Sequence, residues 1–268
     1  MMGGMLDFYL TQMKTAIVEQ FQYRVANYFY MIGMVAEPVI YLVVWSTIAN
    51  TQGGQVAGYT AGQFAAYYII WTLVRNMNIV LTPYAWENSI QRGFLSIQLL
   101  RPIHPLHSDL AYFSGWKFVV IILWLPIAAI LSVAFKPDLH PALWQVAAFG
   151  LAIWGGFYVR FMLLWLLGLI TFWTTRVSAI FELYFTLELL LSGRLVPLEL
   201  MPLWVQRLAD FLPFQWAFGF PIEMLIGRLT PEQTLYGLGA QVFWTALGAL
   251  AVRATWKAAV RRFSAVGA

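Results

Sequence analysis

The sequence contains no cysteine and only three histidines among its 268 residues. Disulfides and thiolate-bound metals are therefore excluded. The histidines are too dispersed for a metal site: His104 and His107 share a proline-marked stretch, and His140 stands apart. Charge is scarce too. Asp, Glu, Lys and Arg make up 10% of the chain, against 61% hydrophobic residues, whereas a soluble domain is nearer a quarter charged and half apolar. Lipid is the main solvent of such a chain, and little length remains for a soluble domain. No phosphate-cradling G-x-x-x-x-G-K-[ST] and no Gly-x-Ser-x-Gly elbow occurs. No nucleophile–base or metal constellation replaces them, so the chain does not read as an enzyme. Energised work would draw on a partner or an ion gradient. A secretory signal is not expected, because the first apolar run, 25–49, exceeds the 7–15 residues of a signal core.

What is present is a series of apolar segments, each near the ~20 residues that cross a bilayer. They predict an all-α polytopic membrane protein, 1–268 as one transmembrane domain, with six transmembrane helices at 25–49, 61–82, 110–135, 142–173, 177–193 and 233–255. The fourth is longer than the ~30 Å hydrocarbon layer needs, and Gly155-Gly156 is the expected bend. Residues 5–23 precede them as an amphipathic interface helix. Leu6, Tyr9, Leu10, Met13, Ile17 and Phe21 fall on one face, with Asp7, Gln12, Lys14, Glu19 and Gln22 opposite. The same pattern suits a helix packed on a protein partner.

Lysine and arginine set the orientation. With the N-terminus inside, Lys14, Arg24, Arg92, Arg101, Lys117, Arg176, Arg253, Lys257, Arg261 and Arg262 face the cytoplasm. Lys136, Arg194, Arg207 and Arg228 face outward. The bias puts both termini in the cytoplasm. It also explains the basic pI without nucleic acid.

Ionisable residues within spans are functional suspects by default. Glu37 and Arg75 lie at matching distances from the 51–55 loop, and Arg160 and Glu188 from the turn near Thr174. These are two depth-matched acid–base pairs. They fit a packing lock first and, as the alternative, the lining of a substrate path or the coupling of motion. Glu182 has no depth-matched base in the sequence and lies nearer the cytoplasmic face.

Between spans two and three, 84–105 carries Trp86, Ile90, Phe94, Ile97 and Leu100 as an apolar stripe beside Glu87, Gln91 and Arg92. A short amphipathic helix here suits the groove of a soluble partner or the lipid surface. Residues 192–228, before the last span, are too apolar for a loop and too broken for a span. Pro197, Pro202, Pro213 and Pro221 interrupt them, leaving short helices at 203–212 and 214–226. Non-helical backbone at membrane depth must be shielded by protein or line a wet cavity. The segment 194–228 therefore reads as an extracytoplasmic re-entrant helical hairpin, with Trp204 and Trp216 at the interface. A cap lying flat on the membrane is the alternative.

These parts, in this order, resemble the membrane (permease) subunits of the type-2 exporter superfamily of ABC transporters. Gly193, Pro197, Met201-Pro202 and Pro213 resemble its C-terminal signature. Gln22-Tyr23-Arg24, Arg92-Gly93-Phe94 and Leu99-Leu100-Arg101-Pro102 resemble a prokaryotic six-span subfamily. The resemblance implies a permease subunit of an ABC exporter, moving a hydrophobic or amphipathic substrate out of the cytoplasm by alternating access in a prokaryotic cell (inner) membrane. It implies a cytoplasmic ABC ATPase dimer and a second permease chain, paralogue or identical copy, as partners. ATP and Mg would sit on the ATPase, with no cofactor on this chain. It assigns ATPase coupling to Trp86, Glu87, Ile90, Arg92, Gly93, Phe94 and Ile97. It assigns an outer gate to Pro197, Pro202, Trp204, Pro213 and Trp216. An ion-coupled secondary transporter using the buried acids, or a non-transporting membrane assembly subunit, are the other readings of the residues.

Overall fold

The structure is a computed structural model that describes residues 2–80, 83–174 and 177–262. The helices are α1 (Met2–Gln22), α2 (Arg24–Thr51), α3 (Ala61–Met77), α4 (Pro83–Gln91), α5 (Phe94–Leu99), α6 (Pro105–Phe135), α7 (Leu143–Gly168), α8 (Ser178–Leu191), α9 (Leu203–Asp210), α10 (Phe214–Ala217), α11 (Gly219–Leu225) and α12 (Pro231–Val260). Short 3-10 turns cover Leu169–Phe172 and Leu198–Leu200. A two-residue hairpin, β1 (Gln55–Val56) with β2 (Tyr59–Thr60), joins α2 to α3.

Side-chain contacts fix the direction of each helix. Trp45 stacks on Phe64 at 5.7 Å and Tyr41 meets Tyr68 at 5.9 Å, so α2 and α3 run antiparallel. The Trp124 indole donates to Thr72 at 2.7 Å, while Lys117 reaches the Ile79 carbonyl, which sets α6 antiparallel to α3. Helices α7 and α12 run parallel. Gly155 abuts Gln241, Gly248 abuts Met162, and Trp165 meets Trp256 at 5.4 Å. The connections therefore gather at two ends. At the hairpin end, the Asp138 amide donates to the Gly62 carbonyl at 2.9 Å, and Arg228 donates to Gly58 O at 3.2 Å. At the aromatic end lie α4, α5, the start of α6 and the ends of α7 and α12.

Helices α2, α6, α12 and α7 with its 3-10 turn are long and apolar enough to cross a membrane. The other two expected spans are short. α3 has 17 residues and α8 has 14, about 26 and 21 Å of helix. α3 stops at Met77 rather than running to 82, and its end is buried in protein. The open carbonyls there are taken by cations. Arg160 donates to Asn78 O and Lys117 to Ile79 O, which also suits the negative pole of a helix C-terminus.

Two further expectations change. Lys117 does not flank its span. It sits fully buried inside α6, over the rings of Phe113, Trp116 and Phe157. The span begins at Pro105 because His104 caps it, its Nδ1 accepting from the Leu106 amide. α7 passes through Gly155-Gly156 as continuous helix, and the two glycines lie in close approach to Gln241 and Ala217. α1 packs along α6, where a Cβ on Gly115 would lie 2.5 Å from the Met13 carbonyl oxygen. Its buried side is Tyr9, Met13 and Ala16, with Tyr9 OH 2.7 Å from His107 Nδ1. Leu6 and Leu10 of the expected stripe stay exposed.

Candidate functional site

Both predicted charge pairs form, and of their members Glu37, Arg75 and Arg160 line one cavity of about 430 Å³. Arg75 Nη1 lies 2.6 Å from Glu37 Oε2. Arg160 grips Glu188 with two bonds, Nε to Oε1 at 2.8 Å and Nη2 to Oε2 at 2.9 Å. A third cation, Arg194, donates to Glu188 Oε2 at 3.0 Å, and Tyr184 OH donates to Oε1 at 3.2 Å. Aromatic faces complete the walls. Arg75 and Arg194 lie 5.1 and 5.9 Å from the Trp71 ring, and Arg160 and Arg194 lie 5.5 and 5.3 Å from that of Phe218. Glu182 lines the same cavity. The arrangement offers guanidinium and carboxylate groups side by side on a half-open wall, which can hold a polar headgroup or hold the helices together.

The 192–228 segment supplies Arg194 and Phe218 to that wall, and it is wedged into the bundle rather than laid over it. Phe214, Trp216, Ala217, Phe218, Phe220, Ile222 and Met224 are buried. Its interrupted backbone is satisfied by side chains from α3, its C-cap and α12. Tyr67 OH donates to Gly193 O at 2.7 Å and Tyr68 OH to Leu195 O at 3.1 Å. Asn78 Nδ2 donates to Ala217 O at 2.9 Å, and Gln241 Nε2 to Trp216 O at 2.7 Å. The Gly219 amide bonds Ser192 O at 2.9 Å. Gly193, at φ +80°, leaves no room for a Cβ, which would lie 2.9 Å from Tyr67 Oη.

The prolines act unequally. Pro197, Pro202 and Pro213 each stand just before a helical turn. Pro221 is the third residue of α11, where no intrahelical donor is lost. The expected helix 214–226 breaks instead at Phe218, between α10 and α11, and the expected 203–212 ends at Asp210. Trp204 is exposed. Trp216 is buried, edge-on against Phe220 and Tyr236 at 5.8 and 5.6 Å.

Glu223, on α11, faces a second cavity at the hairpin end with Glu199 and Asp210. Burial, then the Glu199 charge, pushes its carboxyl up to about 8, with Arg228 opposing and Asp210 adding to the rise. Arg228 itself pairs with Glu199 at 2.5 Å and stacks over Tyr59 at 3.8 Å.

At the aromatic end the expected single coupling helix is two. Gly93, at φ +73°, breaks it into α4 and α5, a conformation open to glycine without strain. The stripe divides accordingly. Trp86 is 3% exposed and fills the notch of Gly168, whose Cβ would lie 2.4 Å from the indole. Its ring also meets Trp165 at 4.8 Å and Trp256 at 6.5 Å. Leu95 is buried too. Phe94, Ile97 and Leu100 are 52%, 56% and 86% exposed, beside exposed Arg92 and Arg101. Ile90 and Glu87 are half-buried between the two sets. Tyr84 and Gln91 have side chains outside the described residues, as does Arg176.

Sequence reasoning missed Lys117, Arg194 and Glu223. For Lys117 a signal existed, since His104-Pro105 is a helix start twelve residues upstream of it. Arg194 lies beyond the end of α8, and no helical spacing links it to Glu188. No curated protein matches the chain. The family model that does match, that of the ABC-2 family transporter protein, covers residues 35–267, and with that coverage the chain belongs to this family of ABC-transporter permeases.

Proposed function

We propose that this permease couples ATP hydrolysis on a separate cytoplasmic ATPase dimer to export of a hydrophobic or amphipathic substrate, paired with a second permease chain. The observation that carries the reading is the divided coupling element. α4 is anchored by Trp86 into the ends of α7 and α12. α5 presents an apolar face, Phe94, Ile97 and Leu100, flanked by basic residues to a groove outside the chain. A push on α5 is thereby delivered to two long helices. Those helices hold the 192–228 wedge at the other end, through Gly156 against Ala217 and Gln241 on Trp216. Closure of the ATPase at one end would shift the wedge at the other, which is alternating access. In this reading 194–228 is a re-entrant outer gate, and Pro197, Pro202 and Pro213 set its joints. The short α3 and α8 complete six passes, with the charge cavity on the pathway. ATP and Mg belong to the partner.

The aromatic end is cytoplasmic in this reading, because it collects Arg92, Arg101, Arg253 and Lys257. The test is isolation of the intact complex from its own membrane through a tag on this chain. A stoichiometric ATPase and two permease chains are expected, with ATPase activity lost in Phe94→Ala/Ile97→Ala. A chain that isolates without an ATPase, and moves substrate in vesicles without ATP, overturns the reading. Orientation is read from single cysteines introduced at Ser96 and Asp138, since the chain has none of its own. Ser96→Cys should react only from the cytoplasmic side and Asp138→Cys only from outside.

A further inference from the structure

A third cavity, of about 360 Å³, lies at the aromatic end where the start of α6, the inner part of α7 and the last turns of α12 meet. Its floor is apolar, made by Leu106, Met162 and Val252, with the Trp256 ring as one wall. Its rim is basic. Arg253 and Lys257 are four residues apart on α12, so they project from one face, and both are exposed. Among the described residues neither makes an ion pair, and no lining residue is acidic. Nearby polar groups are already engaged: Asp109 accepts from the Trp165 indole at 3.0 Å, and His107 meets Tyr9. Burial, together with His107 beside it, lowers the His104 pKa and so disfavours a positive charge there. The positive charge of the rim therefore belongs to the two exposed side chains.

We propose that this cavity binds an anionic phospholipid, with the phosphate between Arg253 and Lys257 and the upper acyl chain on the Leu106–Met162–Val252 floor. The pairing of a basic rim with an apolar floor selects the ligand. A free phosphate would gain nothing from the floor, and a neutral lipid nothing from the rim. The position agrees, since α6, α7 and α12 are each long and apolar enough to cross a membrane, and the cavity lies toward their aromatic ends. Basic pockets between spanning helices at a membrane boundary suit acidic headgroups, and each basic side chain contributes roughly a fivefold preference. Arg261 and Arg262 extend the basic run beyond the cavity, without lining it.

The test uses the full chain purified in detergent. Bound lipid is counted by native mass spectrometry after addition of phosphatidylglycerol or phosphatidylcholine with the same acyl chains. Phosphatidylglycerol should be preferred on the order of twentyfold. Arg253→Gln/Lys257→Gln should reduce that preference to about threefold or less, and Arg261→Gln/Arg262→Gln should preserve it. Equal binding of both lipids overturns the proposal, as does a preference that survives the cavity variant. Inorganic phosphate raising the unfolding midpoint as much as phosphatidylglycerol overturns it in favour of a free-anion site. Absence of the preference in the isolated permease complex overturns it in favour of a covering partner protein. Should the cavity variant fail to fold, bromine-labelled phosphatidylglycerol provides a second readout. It should quench wild-type fluorescence more than that of Trp256→Phe, and equal fractional quenching overturns the site.

Discussion

Arg160 and Glu188 form a two-bond ion pair around a carboxylate that is 1% exposed, and the same carboxylate also receives Arg194. One acid thus serves two guanidinium groups. Its removal strands two buried cations, whereas loss of Arg194 leaves a complete pair behind. Breaking a buried ion pair from one side costs about 3–5 kcal/mol. Glu188→Gln should therefore lower stability by that order, and clearly more than Arg194→Gln. Unfolding midpoints in matched detergent decide it. Equal losses in the two variants would mean that Glu188 is not the shared centre.

Glu37 and Arg75 are closer at 2.6 Å but less enclosed, with side chains 35% and 19% exposed. Tyr41 also donates to Glu37, at 3.3 Å. Arg75→Met alone leaves an acid facing the cavity without this partner, while Arg75→Met/Glu37→Leu removes both charges. The double variant should be more stable than the single one. A coupling energy on the order of 0.5–3 kcal/mol is expected from the full cycle. Strict additivity of the two single changes would show that the contact carries no stability.

These two pairs were legible because residue counts from a loop translate directly into depth along antiparallel helices. The spans themselves were legible by length and hydropathy, and Thr230-Pro231 marked the start of α12 as a helix cap should. What could not be read depends on how helices end inside the bundle. Met77 ends α3 only because Lys117 and Arg160 come from other helices to take the carbonyls that follow. Arg194 reaches Glu188 across a turn whose shape is set by Tyr67 and Tyr68, more than a hundred residues earlier. The division of the coupling stripe at Gly93 hinges on one left-handed residue, and the stripe pattern is the same whether Trp86 faces out or in.

Glu223 gives a pH dependence with a definite sign. In the unfolded chain its carboxyl loses its proton near the ordinary 4.5, while in the fold it keeps it to about 8. Below about 4.5 both states are protonated and its burial costs least. As pH rises toward about 8 the unfolded state alone has released the proton, so stability falls, and above that the loss is complete. The unfolding midpoint of wild type should drop relative to Glu223→Gln across this window and then run level with a fixed offset. Tryptophan fluorescence melts from about pH 5 to 9 measure it. Parallel curves for the two proteins throughout would remove Glu223 as the cause.

Trp86 and Phe94 should separate folding from coupling. Trp86 is packed into Gly168, Trp165 and Trp256, so Trp86→Ala should cost about 3–5 kcal/mol, like other large core deletions. Phe94 is half exposed on α5, and Phe94→Ala should shift stability by less than about 0.5 kcal/mol while cutting ATPase-driven transport at least about tenfold. Unfolding midpoints and vesicle transport with the isolated complex give both readouts. Full transport by Phe94→Ala would place the docking face elsewhere.

Gly156 tests whether α7 carries the wedge through close packing. A Cβ there would lie 2.7 Å from the Ala217 carbonyl oxygen and 3.2 Å from its Cα. That neighbour is main chain, already held by Asn78, so it cannot yield as a flexible side-chain tip would. Gly150, on the same helix, has nothing within 4 Å of a built Cβ. Helix propensity alone favours alanine at both positions by about 1 kcal/mol. The two substitutions should therefore have opposite signs. Gly150→Ala should be neutral or stabilising, and Gly156→Ala should cost about 1–3 kcal/mol from overpacking. The cost comes from displacing α10. It should appear together with a change in the environment of Trp216, whose carbonyl Gln241 holds. Near-ultraviolet circular dichroism of Gly156→Ala against Gly156→Ala/Trp216→Phe reads that displacement directly. A destabilised variant with an unaltered Trp216 signal would break the proposed link between α7 and the wedge.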